Sequence, residues 1–506
     1  MAYFLNKEQV SWIVFFSGMM LFSLYFDTPS ILTKRPQSVH LQRQTDCASY
    51  ALNYYQNKQP FFRPQVHHRF ADNGYAVSEF PIVYYIAGRL YGIFGVHDYF
   101  IRLLHYLLFL VGVVYVFKIS RLFIENRLLQ YLPAMFFFSS SFIQYYGSNF
   151  LPDVASLSLA FVGFYYYLLY RKHAVFLYLL MAGLFFTIAG LLKISALILW
   201  VAILLLYFYE QFQKWRKQAF VWKDLFVWFV FSLSFIVLFA WVSFDKYYAM
   251  KYHFGGNLFG LYPIWDASLH EVLSIFHRLF IEWMAVIMTW PMWCMLVLMI
   301  YFVIRRHAKA DAFMLHLTLL GGLGCLIYSL CWFRAYYHHD YYMINVFCFP
   351  VLLMILFLSI FEKELERQNQ KIQKLVYLFI LLLFSYSIYD CSSVLKKRYS
   401  DQKYYTINPA LYEIEPYLRK IGIERNDLVM SVPDGSTNTS LYLMNQTGWT
   451  ECFNSASYSI DYFISAGAKF LIVSDTLYTH KSPYANFCRE EKKIGSYKGI
   501  YIYRLK

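Results

Sequence analysis

Charged residues are scarce in this chain of 506 residues. Asp, Glu, Lys and Arg make up 15 % of it, against roughly 25 % in soluble domains. With 59 % of residues hydrophobic, too little polar sequence remains to clothe an ordinary water-soluble fold. Cysteine is sparse as well. The eight cysteines include no C-x-x-C spacing, which argues against a zinc centre of the usual kind. Strict apolar–polar alternation is missing, and that excludes a porin-type barrel. No internal repeat and no low-complexity segment occurs, so repeat-built architectures are excluded too.

What the chain has instead is continuous apolar runs. They fall near 9–26, 99–118, 128–146, 154–170, 174–189, 191–208, 225–244, 285–304, 312–332, 342–361 and 374–391. Each approaches the length a bilayer demands, giving about eleven transmembrane helices in a polytopic α-helical membrane protein. The run before Asp27 has no small-residue cleavage site, so it is expected to be a retained span rather than a signal peptide.

The net charge of +14 fits the same reading. Basic residues gather after every even-numbered span: Lys118, Arg121 and Arg127; Arg171 and Lys172; Lys214, Arg216, Lys217 and Lys223; Arg305, Arg306 and Lys309; Lys363, Arg367, Lys371 and Lys374. By the positive-inside rule these loops face the cytoplasm of a cell inner membrane, with the N-terminus inside. No nucleic-acid partner is expected.

The outward segments then include a long hydrophilic loop, 27–97, set among spans in a transmembrane domain of residues 1–391. Residues 392–506 read as an extracytoplasmic α/β domain. NDLVMSVPDGS is a strand and loop, TSLYLMNQTGW a helix closed by Gly448, SIDYFISAGAKFLIVSD a helix and buried strand, and KIGSYKGIYIYRL a hairpin. If that compartment is oxidising, Cys452 and Cys488 are able to pair. Cys294, Cys325, Cys331 and Cys348 sit in or beside spans and are expected to pack as small apolar residues.

Acidic residues beside spans are functional candidates because burying them is costly. Asp46 opens an amphipathic run, and Asp153 follows Pro152 at the start of a span. Each reads either as a helix cap or as part of one outward-facing site. Glu79, Arg89, Arg102, Lys193 and Arg334 add charge on that face. Lys193 stands among apolar residues and needs an anion, for which phosphate is one candidate and snorkelling without a role the other. The run Tyr336–Tyr342, with His338, His339 and Tyr342, suits a sugar or phosphate better than a metal, since adjacent histidines seldom share an ion.

Together these residues resemble the GT-C superfamily of membrane glycosyltransferases. They are most similar to bacterial relatives of the protein O-mannosyltransferases and of the lipid A aminoarabinose transferase. The resemblance rests on D-x-x-x-Y-A at Asp46, EFP-x-x-Y-Y and YGIFG over Glu79–Gly95, Arg102, Pro152–Asp153 and HHDYY at His338–Tyr342. It implies a GT-C-like fold with the small α/β domain appended. It also implies transfer of a sugar from a polyprenyl-phosphate donor to a hydroxyl of a glycan, lipid or protein acceptor, with inversion. Asp46 takes the position of the catalytic base and Asp153 that of the second acid. Glu79, Arg89, Arg102, Lys193, Arg334, His338, His339 and Tyr342 are then substrate-binding. Where many relatives carry Lys-Pro this chain has EFP, so no phosphate-binding Lys is carried over there. No cofactor is expected, a divalent metal being the one candidate. The alternatives are an O-antigen ligase or polymerase using a diphosphate-linked glycan, and a transporter or flippase, although neither midplane charges nor repeat symmetry is seen.

Overall fold

The computed structural model describes residues 6–70, 73–76, 79–216, 222–252, 260–401, 407–452 and 460–506. Lys217 of the third basic cluster lies outside them. The chain divides into two compact units. One comprises Met1–Leu32, His105–Trp241 and Gly260–Lys396, the other Thr33–Leu104, Val242–Phe259 and Lys397–Lys506. This differs from the linear division at 391/392, because the first hydrophilic segment groups with the C-terminal residues rather than with the spans.

Among the described residues eight helices are long and apolar enough to cross a membrane. They coincide with eight of the expected spans. The other three take different forms. The first is a 19-residue helix, Lys7–Tyr25, with polar residues in its first turn. The span at 174–189 is a 17-residue helix, Phe176–Leu192. The span at 128–146 is broken into Leu132–Ser139 and Ser141–Gly147. Ser140 causes that break. Its backbone is extended, and its hydroxyl accepts from the Ile143 N–H, capping the second helix where the first would have continued.

In the first unit the spans Asp153–His173 and Asp340–Glu366 are each 78 % buried, against 17 % for Trp290–Lys309. The two buried spans therefore form the centre, and the exposed apolar faces belong to lipid. Packing at the centre is aromatic: Trp200 stacks between Phe186 at 4.5 Å and Phe231 at 4.2 Å. A second interruption lies between Met284–Ile287 and Trp290–Arg306, where Met288 and Thr289 are extended.

The second unit is built on a five-stranded sheet, ordered β2-β1-β3-β5-β4. The strands are β1 Val429–Val432, β2 Gly448–Trp449, β3 Phe470–Val473, β4 Lys493–Tyr497 and β5 Ile500–Arg504. β1 runs parallel to β2 and β3, while β5 is antiparallel to β3 and β4. The expected helix–strand alternation and final hairpin are both present. Gly448 has another role than the expected one. The helix Thr439–Leu443 ends before the left-handed Asn445, and Gly448 begins β2 with φ +156°, where a Cβ would lie 1.9 Å from the Val429 carbonyl oxygen. Cys452 and Cys488 are free thiols rather than a disulfide, and Cys452 lies 3.8 Å from the Thr437 hydroxyl.

The hydrophilic segment joins this sheet at its edge. The Arg69 N–H donates to the Gly448 carbonyl and the Gly448 N–H to that of His67. Asn438 accepts from the backbone N–H groups of His67 and His68. These bonds are why 33–104 and 397–506 form one body. Within the segment, helices Leu41–Gln56 and Ile82–Phe94 approach closely at Gly88, where a Cβ would stand 2.8 Å from the Ala51 carbonyl oxygen.

Candidate active site

Asp46 lies in the second turn of Leu41–Gln56, with His40 at the N-cap. It neither caps nor opens the helix, because helix geometry starts five residues earlier. One turn back, Arg43 sits 3.9 Å from Asp46 and donates to both carboxylate oxygens of Glu79, at 2.9 and 3.1 Å. The Asp46 side chain is only 12 % exposed. Burial pushes its carboxyl up to about 7 from an ordinary 3.8; Arg43 pulls it down, while the charges of Asp434 and Glu79 raise it further. Asp434, in the loop after β1, is itself raised by burial. It accepts from the N–H groups of Ser436 at 2.8 Å and Ser440 at 2.7 Å. The result is a buried carboxyl that titrates near neutrality beside one guanidinium and two further acids, a setting suited to moving a proton.

Arg89 and Arg102 do not share that cluster's chemistry. Arg89 is exposed and stacks on Tyr85 of its own helix, 4.7 Å from the ring. Arg102, expected to bind substrate, is completely buried. It donates to the carbonyls of Lys34 at 2.8 Å and Arg35 at 3.3 Å, to Gln44, and to the Tyr399 hydroxyl. A guanidinium so engaged holds the scaffold. His67 and His68 are neutral, each pushed down to about 3 by burial. His67 bonds Ser49 at 2.6 Å and His68 accepts from the Phe70 N–H at 2.9 Å.

In the first unit the N-cap before Asp153 is Pro152, so Asp153 is no cap. Its partner is Lys193, 3.3 Å away, with side chains 1 % and 11 % exposed. Lys193 stands where the helix Phe176–Leu192 ends in extended backbone. The rings of Tyr341 and Tyr342 lie 5.3 and 4.9 Å from its ammonium. Lys193 is therefore not snorkelling: its charge is held by a carboxylate and two aromatic faces. Asn345 donates to Ser195 at 2.9 Å and accepts from Ser156 at 3.3 Å, tying the Lys193 turn to the start of the Asp153 helix. Asp340 accepts a short hydrogen bond from Tyr146.

Arg334 and His338 open instead on a cleft of ≈ 410 Å³, lined also by Tyr262, His270, Glu271, Ser274, Ile275 and Tyr337. Arg334 pairs with Glu271 at 3.3 Å. His339 packs against the Tyr341 and Tyr342 rings. Among the described residues no group of three or more His, Cys, Asp or Glu side chains is placed to hold a metal.

Sequence reasoning missed Arg43, Asn345, Tyr146, Glu271 and Asp434. Arg43 was within reach, three residues before Asp46 and so on the same helical face. The others act across long sequence separations and leave no local signal.

Comparison with known proteins agrees with this architecture. A family model described as the Alg9-like mannosyltransferase family matches residues 66–256. No curated protein matches by sequence. Among solved structures, ArnT from Cupriavidus metallidurans in the apo state is similar, with a TM-score of 0.61 at 11 % identity, covering 98 % of this chain and 98 % of that one. The same protein bound to undecaprenyl phosphate gives 0.58 at 11 % identity, covering 97 % of each chain. The fold is similar to that of ArnT over nearly the whole chain, the small C-terminal sheet domain included.

Proposed function

We propose that this chain is an inverting membrane glycosyltransferase that moves a sugar from a polyprenyl-phosphate donor to an acceptor hydroxyl of a glycan, lipid or protein. The observation that carries the proposal is the buried Asp46 carboxyl, raised to about 7 between Arg43, Glu79 and Asp434. A base poised near working pH takes the acceptor's proton as its oxygen attacks the anomeric carbon. The phosphate leaves from the opposite side, which inverts the centre. Growing charge on the phosphate calls for a fixed cation, the role assigned to Lys193, with Asp153 holding its ammonium in place. Arg334, His338 and their cleft are assigned to sugar contacts. Direct displacement by the acceptor hydroxyl, with a carboxylate taking its proton, needs no cofactor. The matched family model and the undecaprenyl phosphate bound by ArnT support the donor class. Basic residues after the even-numbered spans support an inner-membrane protein acting on the outer face, with its N-terminus in the cytoplasm.

The test is transfer from a polyprenyl-phosphate sugar in proteoliposomes. Asp46→Asn keeps the shape but accepts no proton, so transfer should fall by about 10²–10⁴-fold while donor binding persists. Retention of parental transfer would refute the assignment of the base.

A further inference from the structure

The first unit holds a second polar centre that this reaction does not use. Two interrupted helices meet there. The Ser140 hydroxyl, at the break after Leu132–Ser139, donates to the Ile287 carbonyl at 2.7 Å, and Ser141 donates to that of Val286 at 2.7 Å. The second break, at Met288–Thr289, is thereby bonded to the first. The long helix Gln370–Ser400 presents Ser387 and Asp390 to the same point, three residues apart on one face. Between them lies a cavity of ≈ 10 Å³ lined by Ser139, Ser140, Ser141, Thr289, Ser387 and Asp390 with apolar neighbours. That is room for the centre of one water-sized species.

Three observations decide what that species is. The Thr289 and Ser387 side chains are 7 % and 4 % exposed, and neither hydroxyl has a hydrogen-bond partner among the described residues. Leaving each so is costly unless something occupies the cavity. Asp390 lies in a membrane-length apolar helix and has no charged partner among the described residues. The polar side chains of the lining are hydroxyls and one carboxylate, with no side-chain nitrogen. Such a set is rich in hard oxygen acceptors and carries a single negative charge. Ca²⁺ asks for more oxygen ligands, and Mg²⁺ for more retained waters, than a cavity of ≈ 10 Å³ holds, and an anion would meet Asp390. Broken helices with oxygens gathered at the break are a recognised way to hold Na⁺ inside a membrane protein.

We infer that this cavity binds one monovalent cation of Na⁺ size, coordinated by Asp390 and the Thr289 and Ser387 hydroxyls. The bound ion would lock the two helix breaks against the helix Gln370–Ser400. Direct binding tests this. The purified full-length chain in lipid nanodiscs is titrated with radioactive Na⁺, N-methylglucamine chloride holding the ionic strength constant. Saturable binding of one ion per chain is expected. Thr289→Val and Ser387→Ala should each weaken it at least tenfold, and Asp390→Asn should abolish it. Absence of saturable binding in the parent would overturn the inference and leave a water as occupant. Unchanged affinity in folded Asp390→Asn, as judged by its elution profile, would overturn it equally. Because the readout is binding, it stands apart from any loss of glycosyl transfer.

Discussion

Ionising Asp46 should cost the folded protein stability, and the size of that cost follows from its surroundings. The carboxyl rises from 3.8 to about 7 on folding. A shift of about three units at 1.36 kcal/mol each corresponds to about 4 kcal/mol. The sign is that of a raised acid. Its contribution is fully present below pH 3.8 and is lost as pH rises through 7, since the folded state then keeps a buried charge that the unfolded chain solvates freely. Residual water contact at a side chain 12 % exposed makes 4 kcal/mol an upper value. Asp46→Asn removes the charge and keeps the volume. At pH 8.5 the variant should therefore melt several degrees above the parent, whereas at about pH 3, below the unfolded value, the two should melt together. Catalysis runs the other way: the parental transfer rate should climb with pH through a midpoint near 7, as the base form fills. Arg43→Met removes the cation that holds the carboxyl down, so the midpoint should move to higher pH. The measurements are thermal melts in nanodiscs and a pH–rate profile. A parent no less stable than Asp46→Asn at pH 8.5, together with a flat profile, would refute the reasoning.

Three further outcomes follow from other contacts. Lys193→Met strands the buried Asp153 and should cost about 3–5 kcal/mol; adding Asp153→Asn should restore the melt but not donor turnover, and recovery of both would reduce the pair to scaffolding. Arg102→Lys removes the fork that holds Lys34, Arg35 and Tyr399, and should lower stability by about 2–4 kcal/mol in a denaturation series, with transfer per folded molecule unchanged. Gly448→Ala drives a methyl group into the Val429 carbonyl and should cost about 3 kcal/mol or more, seen as early proteolysis of the C-terminal domain in a timed digest.

The spans were legible because burying an apolar helix in lipid needs an unbroken run, and hydropathy records that directly. The break at Ser140 was not, because it depends on a hydroxyl bonding the Ile287 carbonyl far along the chain, which leaves the local composition apolar. Asp46 and Asp153 stood out as costly acids, yet their roles differed from a helix cap for reasons of register: the helices start five residues before one and at the other. The C-terminal strands were readable from short β-branched runs between turns. Their union with residues 67–69 was not, since an edge pairing through backbone groups carries no side-chain signature.

That pairing also sets an order of events during synthesis. Thr45, beside the proposed base, hydrogen-bonds Thr439, 394 residues later. At about 5–20 residues per second, about 20–80 s separate the emergence of the two. Throughout that interval the Asp46 helix lacks Asp434 and Asn438, and with Asp434 one of the charges that raises its carboxyl pKa. On the proposed mechanism the nascent chain should stay inactive until the residues around β1 arrive. A protein truncated anywhere before β1 should insert its spans and still transfer nothing.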